Sequence, residues 1–345
     1  MIWNKPDKNK EMKKKMKGRK KYIGAIDVGG TKIAAALFTL SGKAVFRSRA
    51  MIAEAGGQEA VEQIISLQFQ LEAEAKRRDG RLIGTGLCVP GVVNPKTGLV
   101  WAPNVRGWKD FPLVSKLRNK IRAPVSVISD RTAYVLGEAW KGSARGKKNV
   151  IYLAVGTGIG AGIMADGLVI HGQGDLAGAA GWMALNREFK KEYKELGCFE
   201  WEASGGALSR KARILVESHP DIFSERTATG NESGTESRMT AIERICLAAR
   251  RREAIALKLV EEIQDYLAMG VANLVSILNP EVVVLGGGLF QSADLFFDPV
   301  KEKFKLWAQP LASKSVSIVL SALGQEAALY GCARAALEEH FRKNL

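Results

Sequence analysis

A chain of 345 residues, 46% hydrophobic and 25% charged, is long enough for two domains with separate cores and has the composition of a soluble globular protein. No apolar run approaches the roughly 20 residues of a membrane helix, which excludes a helical membrane protein. Four dispersed cysteines (Cys88, Cys198, Cys246, Cys332) without a CxxC pair exclude a disulfide scaffold and point to a reduced, cytoplasmic protein.

The net charge of +15 is unevenly spread. Residues 1–21 hold ten Lys or Arg against Asp7 and Glu11, which leaves a mild +7 for the rest. This tail lacks the apolar stretch of a secretory signal and reads as a solvated leader, disordered and overlapping two internal methionines, Met12 and Met16. Contact with nucleic acid or an acidic surface is the alternative.

After the tail, strands are expected over 22–40 and 43–51, broken by turns at Asp27 and at Ser41-Gly42. A helix over 58–78 places Val61, Ile64, Ile65, Leu67 and Leu71 on one face. A buried strand over 82–89 ends at Pro90-Gly91, and a short helix covers 113–121. A strand over 125–129 delivers Asp130, and a helix runs from Thr132 to about Lys141. Strands over 150–155 and 162–170 then repeat the opening pattern. Such an internal repeat of a βββαβα unit would set two glycine turns facing each other across a cleft. The stretch 220–240, rich in Ser, Thr, Gly and Glu, reads as a loop or flexible insertion. A long helix over 253–278 stops at Asn279-Pro280, strands follow over 282–285 and 316–320, and a helix over 326–342 closes the chain. The expected division is a tail (1–21), an N-terminal α/β domain (22–130) completed by the C-terminal helix (326–345), and a larger C-terminal α/β domain with a helical insertion (131–325).

The chemistry gathers at the turns. Asp27-Val28-Gly29-Gly30-Thr31-Lys32 and Gly156-Thr157-Gly158-Ile159-Gly160 each follow an apolar strand. Glycines let the backbone approach an anion and point successive N–H groups at it, while Thr adds a hydroxyl donor. Phosphoryl transfer to an alcohol needs phosphates held, Mg²⁺ to spread their charge, and a base on the attacking hydroxyl. Gly29, Gly30, Thr31, Lys32, Gly156, Thr157, Gly158 and Gly160 suit the first task. Asp27 could order the water shell of Mg²⁺, and Asp130, at a strand end, is the candidate base. The turn Gly286-Gly287-Gly288 could admit the flat face of adenine. Each feature has a plainer reading: the glycines as tight turns, and Asp130 as the N-cap of the helix near Thr132.

The ordered set of Asp27–Lys32, Gly84-Thr85-Gly86 with Val89-Pro90-Gly91, Ala102-Pro103-Asn104, Asp130 with Leu136-Gly137-Glu138, and Gly156–Gly162 resembles the ROK family of sugar kinases and repressors. Gly197-Cys198-Phe199-Glu200, Asn279-Pro280 and Leu323-Gly324 extend the resemblance from about residue 22 to the end. It implies an actin-like ATPase fold, with duplicated ribonuclease H-like α/β domains and a ligand cleft between them. It also implies ATP and Mg²⁺ as cofactors, a sugar-like substrate, a homodimer, Asp130 as the base, and Asn104 and Glu200 near the sugar. Repressor members carry an added helix-turn-helix domain, for which the residues before the first strand are too few. Nucleic acid and membrane partners are accordingly not expected.

Departures concentrate in the sugar pocket. Ser129 stands where the family has Asn, Thr132 where it has a second Asn, and Ala179 and Trp182 where it has the sugar-contacting Glu and His. That His is also a zinc ligand with three cysteines, of which Cys198 alone survives, Lys191 and Tyr193 taking the other places. A tetrahedral zinc site needs four such ligands. No structural zinc is expected, and Cys198 should be a small buried hydrophobe. The sugar shell is expected to comprise Asn104, Ser129, Asp130, Trp182 and Glu200, with Trp182 either facing a ring or filling the place of the zinc knuckle. His171 is expected at a surface or strand end. Losing several charge-assisted hydrogen bonds, each contributing about 1.5–3 kcal/mol, argues against an ordinary glucose pocket. The expectation is an ATP-dependent sugar kinase of altered specificity, with a non-catalytic sugar- or nucleotide-binding regulator as the rival.

Overall fold

The computed structural model describes residues 19–223 and 239–342. By packing, the chain divides into two compact units. The first comprises the described residues within Met1–Gly142, His171–Leu176 and Glu326–Leu345; the second comprises those within Ser143–Ile170 and Ala177–Gln325.

The first unit is built on β1 (Lys20–Val28), β2 (Lys32–Thr39), β3 (Ala44–Met51), β4 (Gly80–Val89) and β7 (Val125–Ser129), with β5 (Val92–Val93) and β6 (Val100–Trp101) as a separate small ribbon. Its sheet order is β3-β2-β1-β4-β7. The first three strands are antiparallel, and β4 and β7 run parallel to β1. Side chains alternate across β1, so Tyr22, Ile26 and Val28 enter a core with Val61, Ile64, Leu67 and Leu71 of α1 (Gly57–Arg77). That helix has Gly56 at its N-cap and no side-chain cap. Burial of these four residues, roughly 1.5–3 kcal/mol each, holds it instead. The short helix α2 (Leu113–Arg118) adds Leu113 and Leu117 to the same core.

On the opposite face, Ile23 and Ala25 pack with Ala133 of α3 (Asp130–Lys141) and with Ala328, Cys332 and Ala333 of the C-terminal helix Ala327–Arg342. The two helices approach closely because Gly331 lies against the Ala133 carbonyl, where any Cβ would overlap it. This contact keeps α3 in the first unit, so that unit runs on to Gly142, past the boundary expected after Asp130.

The second unit repeats the plan with β8 (Val150–Val155), β9 (Ile159–Ala165), β10 (Leu168–Val169), β11 (Val282–Gly286) and β12 (Ser317–Leu320) in the order β10-β9-β8-β11-β12. Again three antiparallel strands are followed by two parallel ones. Its main helices are α4 (Cys198–Ala203), α5 (Gly205–Ser218), α6 (Ala241–Arg250), α7 (Ala254–Leu278) and α8 (Ala293–Trp307); the closing helix Ala327–Arg342 of the first unit is α9. Helix α7 lays Leu259, Val260, Ile263, Leu267 and Val271 into a core with Ile151, Leu153, Val283 and Leu285. It ends at Asn279, which takes the left-handed conformation (φ 41°) ahead of Pro280.

Several element boundaries differ from expectation. The strand read over 162–170 is a hairpin: Asp166 and Gly167, with φ of 50° and 80°, turn β9 back into β10. Helix α3 begins at Asp130 rather than Thr132, and α2 stops at Arg118. Within the stretch read as a loop, Pro220–Phe223 forms a helical turn, and residues 224–238 lie outside the described residues. Among the described residues no helix is long and apolar enough to cross a membrane.

Candidate active site

In the first unit the parallel register lines up Asp27 of β1, Cys88 of β4 and Ile128 of β7 near the C-terminal ends of three strands. Asp130 follows two residues beyond Ile128, at the first position of α3. Ser129 is the N-cap: its hydroxyl oxygen accepts from the Thr132 N–H (3.4 Å) and its O–H donates to Thr132 Oγ1 (3.1 Å). The capping role read for Asp130 therefore belongs to Ser129. As a sugar contact Ser129 is weakened by the same finding, since its donor and one acceptor are already engaged and it is buried.

Freed from capping, the half-buried Asp130 carboxylate accepts from the Arg131 N–H (2.8 Å). Burial pushes its carboxyl up to about 7, against the pull of Arg131 and with the charge of Asp27 adding to the rise. Burial also raises Asp27, opposed by the Cys88 thiol, which donates to Asp27 Oδ1 at 3.1 Å, and by the charge of Arg49. Two carboxylates that share a field and titrate above their usual range are characteristic of a proton-transfer site.

Gly29 to Lys32 form the β1–β2 turn, closed by the Gly29 N–H donating to the Lys32 carbonyl (2.8 Å). Gly30 lies against Asn104, whose carbonyl would sit 3.1 Å from a Cβ placed on that glycine. The structure thus brings Asn104 to the first glycine turn. Its loop is anchored by Trp108, fully buried, stacked on Phe111 and donating its indole N–H to the Gly57 carbonyl (3.1 Å).

In the second unit Gly156, Thr157 and Gly158 make the β8–β9 turn, with the Gly156 N–H donating to the Gly158 carbonyl (2.9 Å). The carbonyls of Gly156 and Thr157 accept from the N–H groups of Gly205 and Gly206 at the start of α5. Gly160 follows within β9, opposite Ala154. Glu200 of α4 reaches the same turn: its Oε2 accepts from the Ile159 N–H (2.8 Å), and a Cβ on Gly158 would lie 2.6 Å from it. Burial raises the Glu200 carboxyl, partly opposed by that N–H. Trp182 is 56% exposed, so it does not fill a core vacancy, which leaves its face available to a ring.

The glycine run after β11 divides. Gly286 makes room for the Tyr152 hydroxyl, and Gly287, with φ of 99°, packs on the Val155 backbone. Gly288 faces open space.

Where the family resemblance implies a zinc knuckle, a buried carboxylate stands. Glu202, 1% exposed at its side chain, accepts from the Tyr193 hydroxyl (2.5 Å), Lys190 Nζ (2.6 Å) and Lys211 Nζ (3.0 Å). Burial alone would raise it, yet these three donors lower its carboxyl to about 2. Cys198 is buried and its sulfur accepts from the Leu185 N–H (3.4 Å). Among the described residues, no three His, Cys, Asp or Glu side chains are grouped to hold a metal ion.

Cys88, Trp108, Asp175 and Glu202 were not singled out for these roles from sequence. Asp175 is buried with φ of 64°. It accepts from the Val93 N–H (3.4 Å) and pairs with His171 Nδ1 (2.8 Å), while its carbonyl accepts from Arg131 (3.0 Å). The hydrogen bond to Asp175 raises the His171 imidazole above its ordinary value, so this strand-end histidine is tied to the residue beside the candidate base. The legible signal was Glu202 two residues from Glu200, which puts the two carboxylates on different sides of one helix.

Comparison with known proteins shows the family. The ROK family pattern matches residues 23–339. The chain is 33% identical over 314 residues to a glucokinase of Halalkalibacterium halodurans, covering 90% of this chain and 93% of that one. It is 29% identical over 324 residues to a xylose repressor of Caldicellulosiruptor bescii, covering 90% and 76%. Among solved structures it is similar to a ROK family glucokinase from Streptomyces griseus in complex with glucose and AMPPNP, with a TM-score of 0.75, 26% identity, and coverage of 92% and 99%. With two matching five-stranded sheets and a family match across nearly all its described residues, the chain has the actin-like ATPase fold and belongs to the ROK family.

Proposed function

We propose that this ROK protein transfers the γ-phosphoryl group of ATP to a hydroxyl of a sugar or sugar derivative, with Asp130 as general base. The observation that carries the reading is the state of Asp130. Ser129 takes over the helix cap, leaving a half-buried carboxylate whose carboxyl lies at about 7, where a base both ionises and accepts a proton near neutrality.

In the reaction, the hydroxyl oxygen of the sugar bonds to the γ-phosphorus as the bond to the departing ADP oxygen breaks. The hydroxyl proton passes to the Asp130 carboxylate. The turns at Gly29–Lys32 and Gly156–Gly160 would hold phosphate oxygens through the backbone N–H groups of Gly30, Thr31, Thr157 and Gly158, those of Gly29, Gly156 and Ile159 being engaged within the protein, and Gly288 would border adenine. Asp27 fits a hydrated Mg²⁺, being a strand-end carboxylate with one oxygen fixed by Cys88 and the other left as an acceptor. Mg²⁺ bound there would neutralise charge developing on the phosphates.

Asn104, Trp182 and Glu200 are the proposed sugar contacts. With Ala179 and an exposed Trp182 where the family has Glu and His, the pocket suits a glucokinase-like enzyme of altered specificity. No structural zinc is proposed, Glu202 and its donors standing in its place.

The similarity to a xylose repressor supports a second reading, a non-catalytic sugar-binding regulator. Coupled ADP release with ATP·Mg²⁺ across hexoses, amino sugars, N-acetyl sugars and polyols separates the two. Turnover on one class is expected, with Asp130→Asn lowering it about 10²–10⁴-fold while ATP binding is retained. Binding of ATP and sugar without turnover on any of them would favour the regulator, and substantial activity in Asp130→Asn would remove Asp130 as the base.

A further inference from the structure

Asp27 depends on a neighbour that phosphoryl transfer does not by itself require. Parallel pairing of β1 with β4 sets Cys88 opposite Asp27, and the Cys88 thiol donates to Asp27 Oδ1 at 3.1 Å. Cys88 is fully buried, and so is Cys332 of α9, which lies within hydrogen-bonding reach of it. Cys332 in turn donates to the Ile26 carbonyl at 3.5 Å. Gly86, two residues before Cys88, has the Cys332 backbone so close that no side chain fits between them. The thiol is therefore clamped between strand and helix, and its S–H points at the carboxylate.

A buried cysteine usually serves as a small hydrophobe with a weak donor. Here the donor is spent on a charged acceptor at the end of the strand that enters the phosphate turn. A carboxylate side chain on a strand terminus has several rotamers, and one hydrogen bond from a clamped partner selects among them.

We propose that Cys88 is a positioning residue for metal–nucleotide binding: its S–H···Oδ1 bond holds the Asp27 carboxylate in one orientation, leaving Oδ2 to receive the water shell of a divalent cation carried by the nucleotide. The inference rests on the metal–nucleotide role proposed for Asp27 and adds to it the residue that orients that carboxylate.

Equilibrium binding tests this without turnover. The probes are Mn²⁺·AMPPNP, and AMPPNP alone in the presence of chelator, titrated calorimetrically into wild type, Cys88→Ala and Cys88→Ser. The expected result is Mn²⁺·AMPPNP binding weakened about three- to tenfold in Cys88→Ala, the range of one hydrogen bond. Cys88→Ser, which keeps a donor, should return to within about twofold of wild type, and binding of AMPPNP alone should not change. Equal weakening in the Ala and Ser variants, no weakening in Ala, or the same loss without metal would overturn the proposal.

Should Cys88→Ala not fold, the infrared S–H stretch offers a second route. It should move to higher frequency when Asp27→Ala removes the acceptor, and an unmoved band would end the idea. A wild type that binds Mn²⁺·AMPPNP yet phosphorylates no sugar would end the kinase reading and leave the positioning role standing. A wild type that binds no metal–nucleotide would end both.

Discussion

Above about pH 7 Asp130 carries its charge in a half-buried site, and that burial works against folding. Its carboxyl sits at about 7 in the folded protein against an ordinary 3.8. Between those values the unfolded chain is ionised while the folded one still holds the proton, so stability falls as pH rises from about 4 to 7 and is level beyond. Asp130→Asn is neutral throughout. It should therefore match wild type in urea melts near pH 4 and exceed it at pH 8 by a few kcal/mol, at about 1.4 kcal/mol per unit. Wild-type kcat/KM should fall tenfold per unit below an apparent value near 7, since the base must be unprotonated. A variant no more stable at pH 8 than at pH 4, relative to wild type, would show that burial does not set the Asp130 carboxyl.

At the scale of elements, α4 is held by a buried carboxylate cluster. Glu200 on this helix reaches the Gly158 turn, and Glu202 on the same helix is gripped by Lys190, Tyr193 and Lys211. This buried, fully donated carboxylate fixes the chain before α4 against the helix. The Glu202 carboxyl is lowered to about 2 from an ordinary 4.5. A depressed acid contributes stability above its unfolded value and loses it as pH falls toward the folded one. Glu202→Gln should thus cost about 3 kcal/mol at pH 7, and the difference from wild type should shrink from about pH 4.5 down to pH 2 in urea titrations. Metal analysis of the same samples should find no stoichiometric zinc. A pH-independent difference, or near-equimolar zinc, would replace this account.

Much of this architecture was legible in the chain because strands and helices follow apolar periodicity. The strand over 125–129 and the stop at Asn279-Pro280 fell where Val-rich alternation and a left-handed Asn before Pro place them. The Asp166-Gly167 turn was missed because an apolar run on both sides masked a dipeptide that folds back tightly. What could not be read was anything set by register across distant strands. The Asp27–Cys88 pair is joined only once β1 lies beside β4, and the Asp175 clasp on Arg131 only once the segment His171–Leu176 returns to the first unit.

For the whole molecule, two repeats of one sheet plan, each with its own apolar core, lead to the expectation that stability changes in the two units add. Asp130→Asn relieves a charge in the first unit, and Glu202→Gln strands donors in the second. Their hydrogen-bond partners do not overlap: Arg131 serves the one, and Lys190, Tyr193 and Lys211 the other. At pH 8 the double variant should therefore lie at the sum of the two single changes, within roughly 0.5 kcal/mol. If unfolding resolves into two transitions, as multidomain chains often do, Asp130→Asn should move one and Glu202→Gln the other. A coupling well above ~1 kcal/mol, or both substitutions moving the same resolved transition, would mean that the Asp130 carboxylate and the Glu202 cluster belong to one cooperative structure.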